Sequence, residues 1–277
     1  MLRVNLLSAV LISGLFIPVE RREKPARPDP KTPTLAVCLQ IQALRTLYLL
    51  RAKPEQLKKL QAIAKELATP DRDRAKPHIS EEYRAVLDRL HGAFAADNEK
   101  QVEELEDRLS ELTESEEPEL DDGVAITPSA RKHVAEVLRT LRPRQVAEYV
   151  GAISEDIGDP QERLIAAFEQ IRSDKTENWE EVRDEQADDL AWLLGGLDSA
   201  RFKAIHDEVA NLLTDVHKLD SDTFTKQRSD LEKKARGIGS DVAATDVLRH
   251  AMERALAQLL SNPELGPAVE ARLKSAK

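Results

Sequence analysis

Apolar residues recur at intervals of three and four along nearly the whole chain after residue 33, which is the spacing of amphipathic α-helices. The clearest run steps from Phe202 to Leu219 in the register by which one helix packs on another through knobs-into-holes, coiled-coil-like contacts. Such a helix needs a neighbour, and the segments 179–197 and 247–260 are candidates because short polar turns join them to it. The pattern predicts an all-α protein, either an antiparallel multi-helix bundle or two helical subdomains.

One segment, 34–51, carries two conflicting patterns. Its first half alternates apolar and other residues from Leu35 to Ile41 as a strand would, whereas Ile41, Leu44 and Tyr48 follow at helical spacing. Because of this later helical spacing, we predict that the segment is a helix. Other helix starts are marked by a capping residue before a proline, at Thr127-Pro128, Asp159-Pro160 and Asn262-Pro263.

The amino terminus has the features of an export signal. Arg3 precedes an apolar stretch from Leu6 to Val19, which has signal-peptide length and is shorter than the roughly 18–20 residues that a spanning helix prefers. We expect residues 1–19 to direct export to the periplasm or envelope. No clean cleavage site follows, so an uncleaved signal anchor is the alternative. The proline-rich, basic segment 20–33 is expected to be an extended linker.

The amino-acid composition indicates which side chains pack the core. Aromatic residues make up 4% of the chain and charged residues 33%, which favours amphipathic helices packed by aliphatic side chains. Cys38 is the only cysteine, so an internal disulfide and any cysteine-based zinc or haem site are excluded. Its position in the apolar pattern predicts a small core residue.

The net charge of −10 is concentrated in one segment. Residues 97–122 hold 13 acidic residues against Lys100 and Arg108, whereas the rest of the chain is nearly neutral. The acidic run begins on a helix and ends in a loop with a proline and a glycine. This predicts a first helical region 34–113, an acidic linker 114–126 and a second helical region 127–277.

The acidic run is the first candidate for a binding surface. The candidate partner-binding residues are Glu103, Glu104, Glu114, Glu116 and Glu117. A solvated face is the plain alternative, and weak divalent-cation binding is a further one, although no loop has EF-hand spacing. Because the chain has no basic stripe elsewhere, we expect no nucleic-acid binding.

Motifs for catalysis or cofactor binding are missing from the sequence. The six histidines are dispersed, and only His206 and His217 fall near one face, three turns apart and too distant to share a metal. There is no GxSxG, HExxH, phosphate-binding glycine loop or CxxCH. The sequence therefore predicts no enzyme, with no catalytic, cofactor-binding or metal-binding residue and no cofactor.

A weak internal repeat marks three helix starts. Pro54-Glu55-Gln56-Leu57 opens one helix, Pro143-Arg144-Gln145-Val146 opens another, and Leu197–Phe202 holds the same position before a third. A glutamine at such a start can bond the backbone or a neighbouring helix. Gln56 and Gln145 are candidate structural motif residues without a catalytic role, and ordinary helix starts are the alternative.

At these residues the chain resembles the LTxxQ-type helical periplasmic proteins, which include Spy-like and CpxP-like chaperones and stress modulators. It departs from their pattern, because Ala52-Lys53 replaces Leu-Thr in the first motif, Arg142 replaces the threonine of the second, and Arg201 replaces the glutamine of the third. Such proteins are also much shorter. The resemblance implies a cradle of helices, often a homodimer, that holds unfolded clients without a nucleotide.

Three functions remain open on the sequence. The first is an exported, non-enzymatic helical interaction protein, chaperone-like or stress-related, whose partner is a protein or an unfolded client. The alternative is a structural envelope component held to the membrane through an uncleaved segment 6–19, its only predicted membrane contact. The third is a helical small-molecule binder or an unrecognised enzyme.

Overall fold

A computed structural model describes residues 28–29, 31–67, 79–116, 124–173 and 179–275. These residues form twelve α-helices and no strand, which confirms the all-α prediction. In chain order the helices are α1 (Thr34–Leu49), α2 (Pro54–Glu66), α3 (Glu81–Ala95), α4 (Glu99–Glu116), α5 (Pro128–Leu138), α6 (Pro143–Ile157), α7 (Pro160–Ser173), α8 (Trp179–Gly195), α9 (Ser199–His217), α10 (Ser221–Gly237), α11 (Ala244–Ser261) and α12 (Leu265–Ser275).

The local predictions agree with these helices. The ambiguous segment 34–51 is the helix α1, with Cys38 buried in it. Thr127 and Asp159 accept hydrogen bonds from the first turns of α5 and α7, as their positions before proline predicted. Asn262 also accepts a bond from the backbone, but α12 begins at Leu265, two residues later than the proline indicated.

The predicted export signal, 1–19, lies outside the described residues, as does most of the linker 20–33. Among the helices that the structure describes, none has the length and apolar character needed to cross a membrane. Export and anchoring of the chain therefore stay predictions.

The chain divides into two compact units. Unit 1 comprises Met1–Ala152 together with Leu256–Lys277, and unit 2 comprises Ile153–Ala255. The divisions fall within α6 and α11, so the predicted linker 114–126 lies inside unit 1 and not between the units. The helices on both sides of that linker share one unit because side chains of the second hairpin bond the first, as described below.

Unit 1 is closed by the carboxyl-terminal helix. α3 packs against α1 and α4, and α12 packs against α1, α2 and α3. Asn262, just before α12, donates to the carbonyl of Leu39 at 2.8 Å, and Gln40 donates to Glu264 at 2.8 Å. The segment from the far end of the sequence is therefore an integral part of this core.

Unit 2 is built around the α8–α9 hairpin. α7 packs against both helices of the hairpin, and α10 packs against α7 and α9. The predicted apolar stripe is buried from Ile205 to Val216, with Val209 and Val216 fully inaccessible to solvent. Its two end residues, Phe202 and Leu219, are half-buried. Of the two candidate neighbours, 179–197 is confirmed, since it forms α8.

The turn of the α8–α9 hairpin depends on two glycines. Gly196 has a φ of +58°, and a Cβ atom there would lie 2.4 Å from Cδ2 of His250. A Cβ on Gly195 would lie 2.8 Å from the backbone of Phe202. The absence of both side chains allows α9 and α11 to approach the end of α8 closely.

We expect Gly196→Ala to destabilise unit 2 by about 3 kcal/mol, because left-handed strain of about 1–2 kcal/mol is added to a collision with the His250 ring. Gly158→Ala is the matched control, since Gly158 has a φ of +59° with nothing within 4 Å of the added Cβ. Urea unfolding followed by tryptophan fluorescence compares the two variants. Equal losses in the two would show that the close approach of His250 carries no energetic weight.

Candidate functional site

The two glutamines singled out by the internal repeat meet in the interior of unit 1. Gln56 and Gln145 are 9% and 6% exposed. Nε2 of Gln56 donates to Oε1 of Gln145 at 2.9 Å, and Nε2 of Gln145 donates to Oε1 of Gln56 at 3.1 Å. The two side-chain amides therefore form a cyclic pair, which we call the glutamine pair.

Each glutamine also caps its own helix. Oε1 of Gln56 accepts a hydrogen bond from the backbone N–H of Lys53 at 2.8 Å. Oε1 of Gln145 accepts the equivalent bond from the backbone N–H of Arg142 at 3.0 Å. This is the glutamine half of a capping box, and the proline at the first helical position of α2 and α6 leaves one backbone donor fewer to satisfy.

Each glutamine further caps the helix of the other hairpin. Nε2 of Gln56 donates to the carbonyl of Thr140 at 2.8 Å, just after α5. Nε2 of Gln145 donates to the carbonyls of Leu50 at 2.9 Å and Arg51 at 3.1 Å, just after α1. Carbonyls at a helix end lack partners within the helix, and here the opposite hairpin supplies them. The contacts are reciprocal and join the hairpins α1–α2 and α5–α6.

The glutamine pair contributes hydrogen bonds that cap helix ends and hold helices together. Both amide oxygens and both amide nitrogens are used, so the orientation of each side chain is fixed by its partners. An amide carries no titratable group at neutral pH. The pair can hold the two hairpins in one arrangement. The repeated glutamine therefore has a structural role.

The third segment of the repeat does not join such a pair. Arg201, at the position of the glutamine, lies in unit 2 and its guanidinium pairs with Asp241 at 2.7 Å. The sequence reasoning noted the arginine as a departure from the pattern, and the structure shows an ion pair in place of the amide contact.

Side chains from distant helices cap other helix ends in the same way. In unit 1 the buried Arg272 donates to the carbonyl of Phe94 at the end of α3, and to Asp97 at 2.8 Å. In unit 2, Gln161 donates to the carbonyl of Ile238 at 2.9 Å, just after α10. Sequence reasoning did not find these residues, because the carbonyls they cap are far away along the chain.

The predicted acidic strip forms the outward face of α4. Val102, Leu105, Leu109 and Leu112 are buried and hold one side of the helix against the core. Glu99, Glu103, Asp107 and Glu114 follow one another at intervals of four, four and seven on the opposite side, where all four are exposed. We call these four residues the acidic face.

The two basic residues of α4 are already engaged in ion pairs. Arg108 pairs with Glu82 and Glu111, and Lys100 lies 3.8 Å from Glu104. Within the part of the chain that the structure describes, no residue of the acidic face forms an ion pair. Its negative charge is therefore available to a partner.

Three of the five predicted glutamates are placed by the structure. Glu103 and Glu114 belong to the acidic face, and Glu104 stands beside it in its contact with Lys100. Glu116 is the last residue of α4, with its side chain outside the described part, and Glu117 lies beyond it. Glu99 and Asp107 were both missed, although their helical phase identifies them once α4 is known.

One acidic residue of α4 points inward. Glu106 is paired with Arg45 of α1 at 3.2 Å. Burial raises the pKa of its carboxyl group, while Arg45 acts in the opposite direction. Glu106 therefore serves the packing of α4 in unit 1 and is not part of the acidic face.

Large apolar side chains are withheld from solvent. Among the described residues, every Val, Leu, Ile, Met, Phe, Tyr and Trp side chain is buried or half-buried, and none is exposed. Alanine and proline are the aliphatic residues found in exposed positions there. The surface that this part of the chain offers to partners is polar and charged.

Other polar groups in the described ranges were compared with the requirements of a metal site and of a binding cleft. No group of three or more histidine, cysteine or carboxylate side chains is placed there to hold a metal ion. A shallow cleft of unit 2 contains Arg201, Arg249 and His250, but Asp241 and Asp246 already pair with its two arginines. The cleft is internally neutral.

Comparison with known proteins returns no match to this chain among protein-family models, curated proteins or solved structures. The resemblance to the LTxxQ-type proteins consequently rests on the motif segments alone.

Proposed function

We propose that this chain is an exported, non-enzymatic interaction protein that binds a basic protein partner or client through the acidic face of α4. The observation that supports this most directly is the exposed row of Glu99, Glu103, Asp107 and Glu114 on α4, none of which pairs with a cation among the described residues. Such a row of negative charge steers a positively charged partner surface into contact and makes the binding more specific. Binding of this kind needs no nucleotide or cofactor.

The buried apolar side chains refine the chaperone-like form of this proposal. A binder that captures unfolded clients by hydrophobic contact offers a contiguous apolar patch. The described surface offers charge instead, so the favoured clients are basic proteins. A cradle that holds any unfolded chain by apolar contact is correspondingly less favoured.

The test is suppression of aggregation without ATP, with one basic and one acidic unfolding test protein. We expect roughly stoichiometric protection of the basic protein and little protection of the acidic one, together with weak binding of a hydrophobic dye to the native chain. Equal protection of both test proteins with strong dye binding would support apolar capture. No protection of either at equimolar concentration would contradict the proposed function.

A further inference from the structure

The glutamine pair brings two turns between helices together in unit 1. Nε2 of Gln145 lies 3.1 Å from the carbonyl oxygen of Arg51, and Nε2 of Gln56 lies 2.8 Å from that of Thr140. The turn between α1 and α2 is therefore beside the turn between α5 and α6. Both α2 and α6 begin at this place.

Basic side chains are concentrated at these two turns. The segments 50–55 and 139–148 contain five cations and only two carboxylates, Glu55 and Glu148. All five cations are exposed, and we call them the basic cluster: Arg51, Lys53, Arg139, Arg142 and Arg144. The repeated glutamine thus joins two positively charged turns into one surface.

One carboxylate is shared by several of these cations. Glu148 pairs with Arg144 at 2.7 Å and with Arg51 at 3.5 Å. The hydrogen bond from Arg144, with Arg51 and Lys53 close by, holds the pKa of the Glu148 carboxyl group below its usual value. Within the described ranges, the three remaining cations of the basic cluster form no ion pair. The basic cluster therefore keeps a net positive charge.

Two members of the basic cluster occupy the position before a helix where a side-chain acceptor is usual. The carbonyls of Lys53 and Arg142 accept the first backbone bonds of α2 and α6, from Leu57 at 2.9 Å and Val146 at 3.1 Å. Their side chains only donate, and a cation at the N-terminus of a helix opposes the helix dipole. The LTxxQ pattern has threonine at both positions. Sequences break such local rules mostly where a function requires it.

We propose that the basic cluster binds the acidic face of a second copy of this chain. The two surfaces have opposite charge, because the acidic face has four exposed carboxylates and none of them forms an ion pair among the described residues. Opposite charges steer two such surfaces together, and salt weakens their attraction. The inference rests on the acidic face of the proposed function and names a basic partner for it.

Sedimentation velocity of the unmodified full-length chain tests this contact without any client. We expect self-association at low salt that is lost at about 0.5 M salt. In the cluster variant, Lys53→Gln, Arg139→Gln and Arg142→Gln together should raise the dissociation constant about tenfold at low salt. A chain that stays monomeric at low salt, or that associates more strongly as salt is added, would overturn the proposal.

The matched control neutralises three exposed lysines of α10. Lys226→Gln, Lys233→Gln and Lys234→Gln together change the net charge by the same amount and should leave the dissociation constant within about twofold. The cluster variant should be at least as stable as the unmodified chain in urea, since it removes two cations from helix N-termini. Equal weakening of self-association in both triple variants would overturn the proposal.

An anionic membrane surface is the competing partner for the basic cluster. Vesicles with anionic lipid headgroups should bind the unmodified chain and the cluster variant equally. Stronger binding of the unmodified chain, in the absence of self-association, would assign the basic cluster to lipid and overturn the pairing of two copies.

A mixture of two defective variants gives the sharpest test. The face variant, with Glu103→Gln, Asp107→Asn and Glu114→Gln, keeps the basic cluster, and the cluster variant keeps the acidic face. Neither should associate alone, whereas their mixture should associate at low salt, because each supplies the surface that the other lacks. Failure of the mixture to associate would overturn the proposal, and the proposed function would still stand if the cluster variant bound a basic client.

Discussion

Gln56→Glu should destabilise unit 1 by about 3 kcal/mol. Glutamate has nearly the same shape, but its carboxylate cannot donate to Thr140 or to Oε1 of Gln145. The change also places a charge in a buried site that now holds an uncharged amide. The loss should be seen in urea unfolding followed by tyrosine absorbance, since Tyr48, Tyr83 and Tyr149 all belong to unit 1.

Gln101→Glu is the matched control for that experiment. Gln101 holds the third position of α4, as Gln56 does in α2, but its side chain is exposed. We expect a change of no more than about 0.5 kcal/mol there. Alanine at Gln56, at Gln145 and at both should be non-additive by about 1–3 kcal/mol, because the side chains share two hydrogen bonds. Strict additivity would mean that the glutamine pair is not a coupled unit.

Leu212→Asp should unfold unit 2. Leu212 is buried in the apolar stripe of α9, and a carboxylate placed there has no partner, which costs about 4 kcal/mol or more. Trp179 and Trp192 both lie in unit 2, so tryptophan fluorescence follows this unit specifically. A native emission spectrum for the variant would contradict the assigned packing.

Two substitutions calibrate the leucine result. Asn211→Asp adds the same charge at the neighbouring exposed position and should leave unit 2 folded. His206→Ala should also be nearly silent, because this half-buried ring contacts the exposed carboxylates of Asp188 and Asp207 and stacks loosely on Phe202. If His206→Ala were as damaging as Leu212→Asp, the histidine would have a role that its contacts do not indicate.

The local part of the fold was predictable, because helix starts and apolar faces are determined by neighbouring residues. Pro54 and Pro143 open their helices where the sequence indicated, and the stripe is buried from Ile205 to Val216 as expected. The amide contact between Gln56 and Gln145 was not predictable. The two residues are 89 positions apart, and no local pattern records which helix end a glutamine will reach.

The division of the chain into two units could not be predicted from local sequence patterns either. An acidic loop with a proline and a glycine indicated a boundary at 114–126, but loops of that composition also occur within a compact unit. Unit 1 is completed by α12 through residues such as Asn262 and Arg272, which bond α1 and α3. Local composition does not indicate that a late segment such as α12 packs against helices from the start of the chain.

The acidic strip was partly predictable from sequence. The count of carboxylates located the segment, and Glu103 and Glu114 were among the five glutamates predicted to bind a partner. Sequence alone did not separate Glu106, which packs against Arg45, from Asp107, which belongs to the exposed face. That separation depends on which side of α4 meets the core.

The most direct test of the acidic face as a binding surface compares two variants of equal net charge. Glu103→Gln, Asp107→Asn and Glu114→Gln together neutralise three of the four carboxylates of the acidic face. Glu208→Gln, Asp215→Asn and Asp230→Asn together neutralise three exposed carboxylates of unit 2. Circular dichroism should show both triple variants folded, because exposed charges contribute little to stability.

The measurement is the affinity for a basic unfolding test protein as a function of salt concentration. We expect the face variant to bind about tenfold more weakly at low salt and to lose most of its salt dependence, whereas the unit 2 variant should behave like the unmodified chain. Equal weakening of binding in both variants would show that the affinity depends only on the net charge of the chain. Unchanged binding by the face variant would contradict the proposed role of α4.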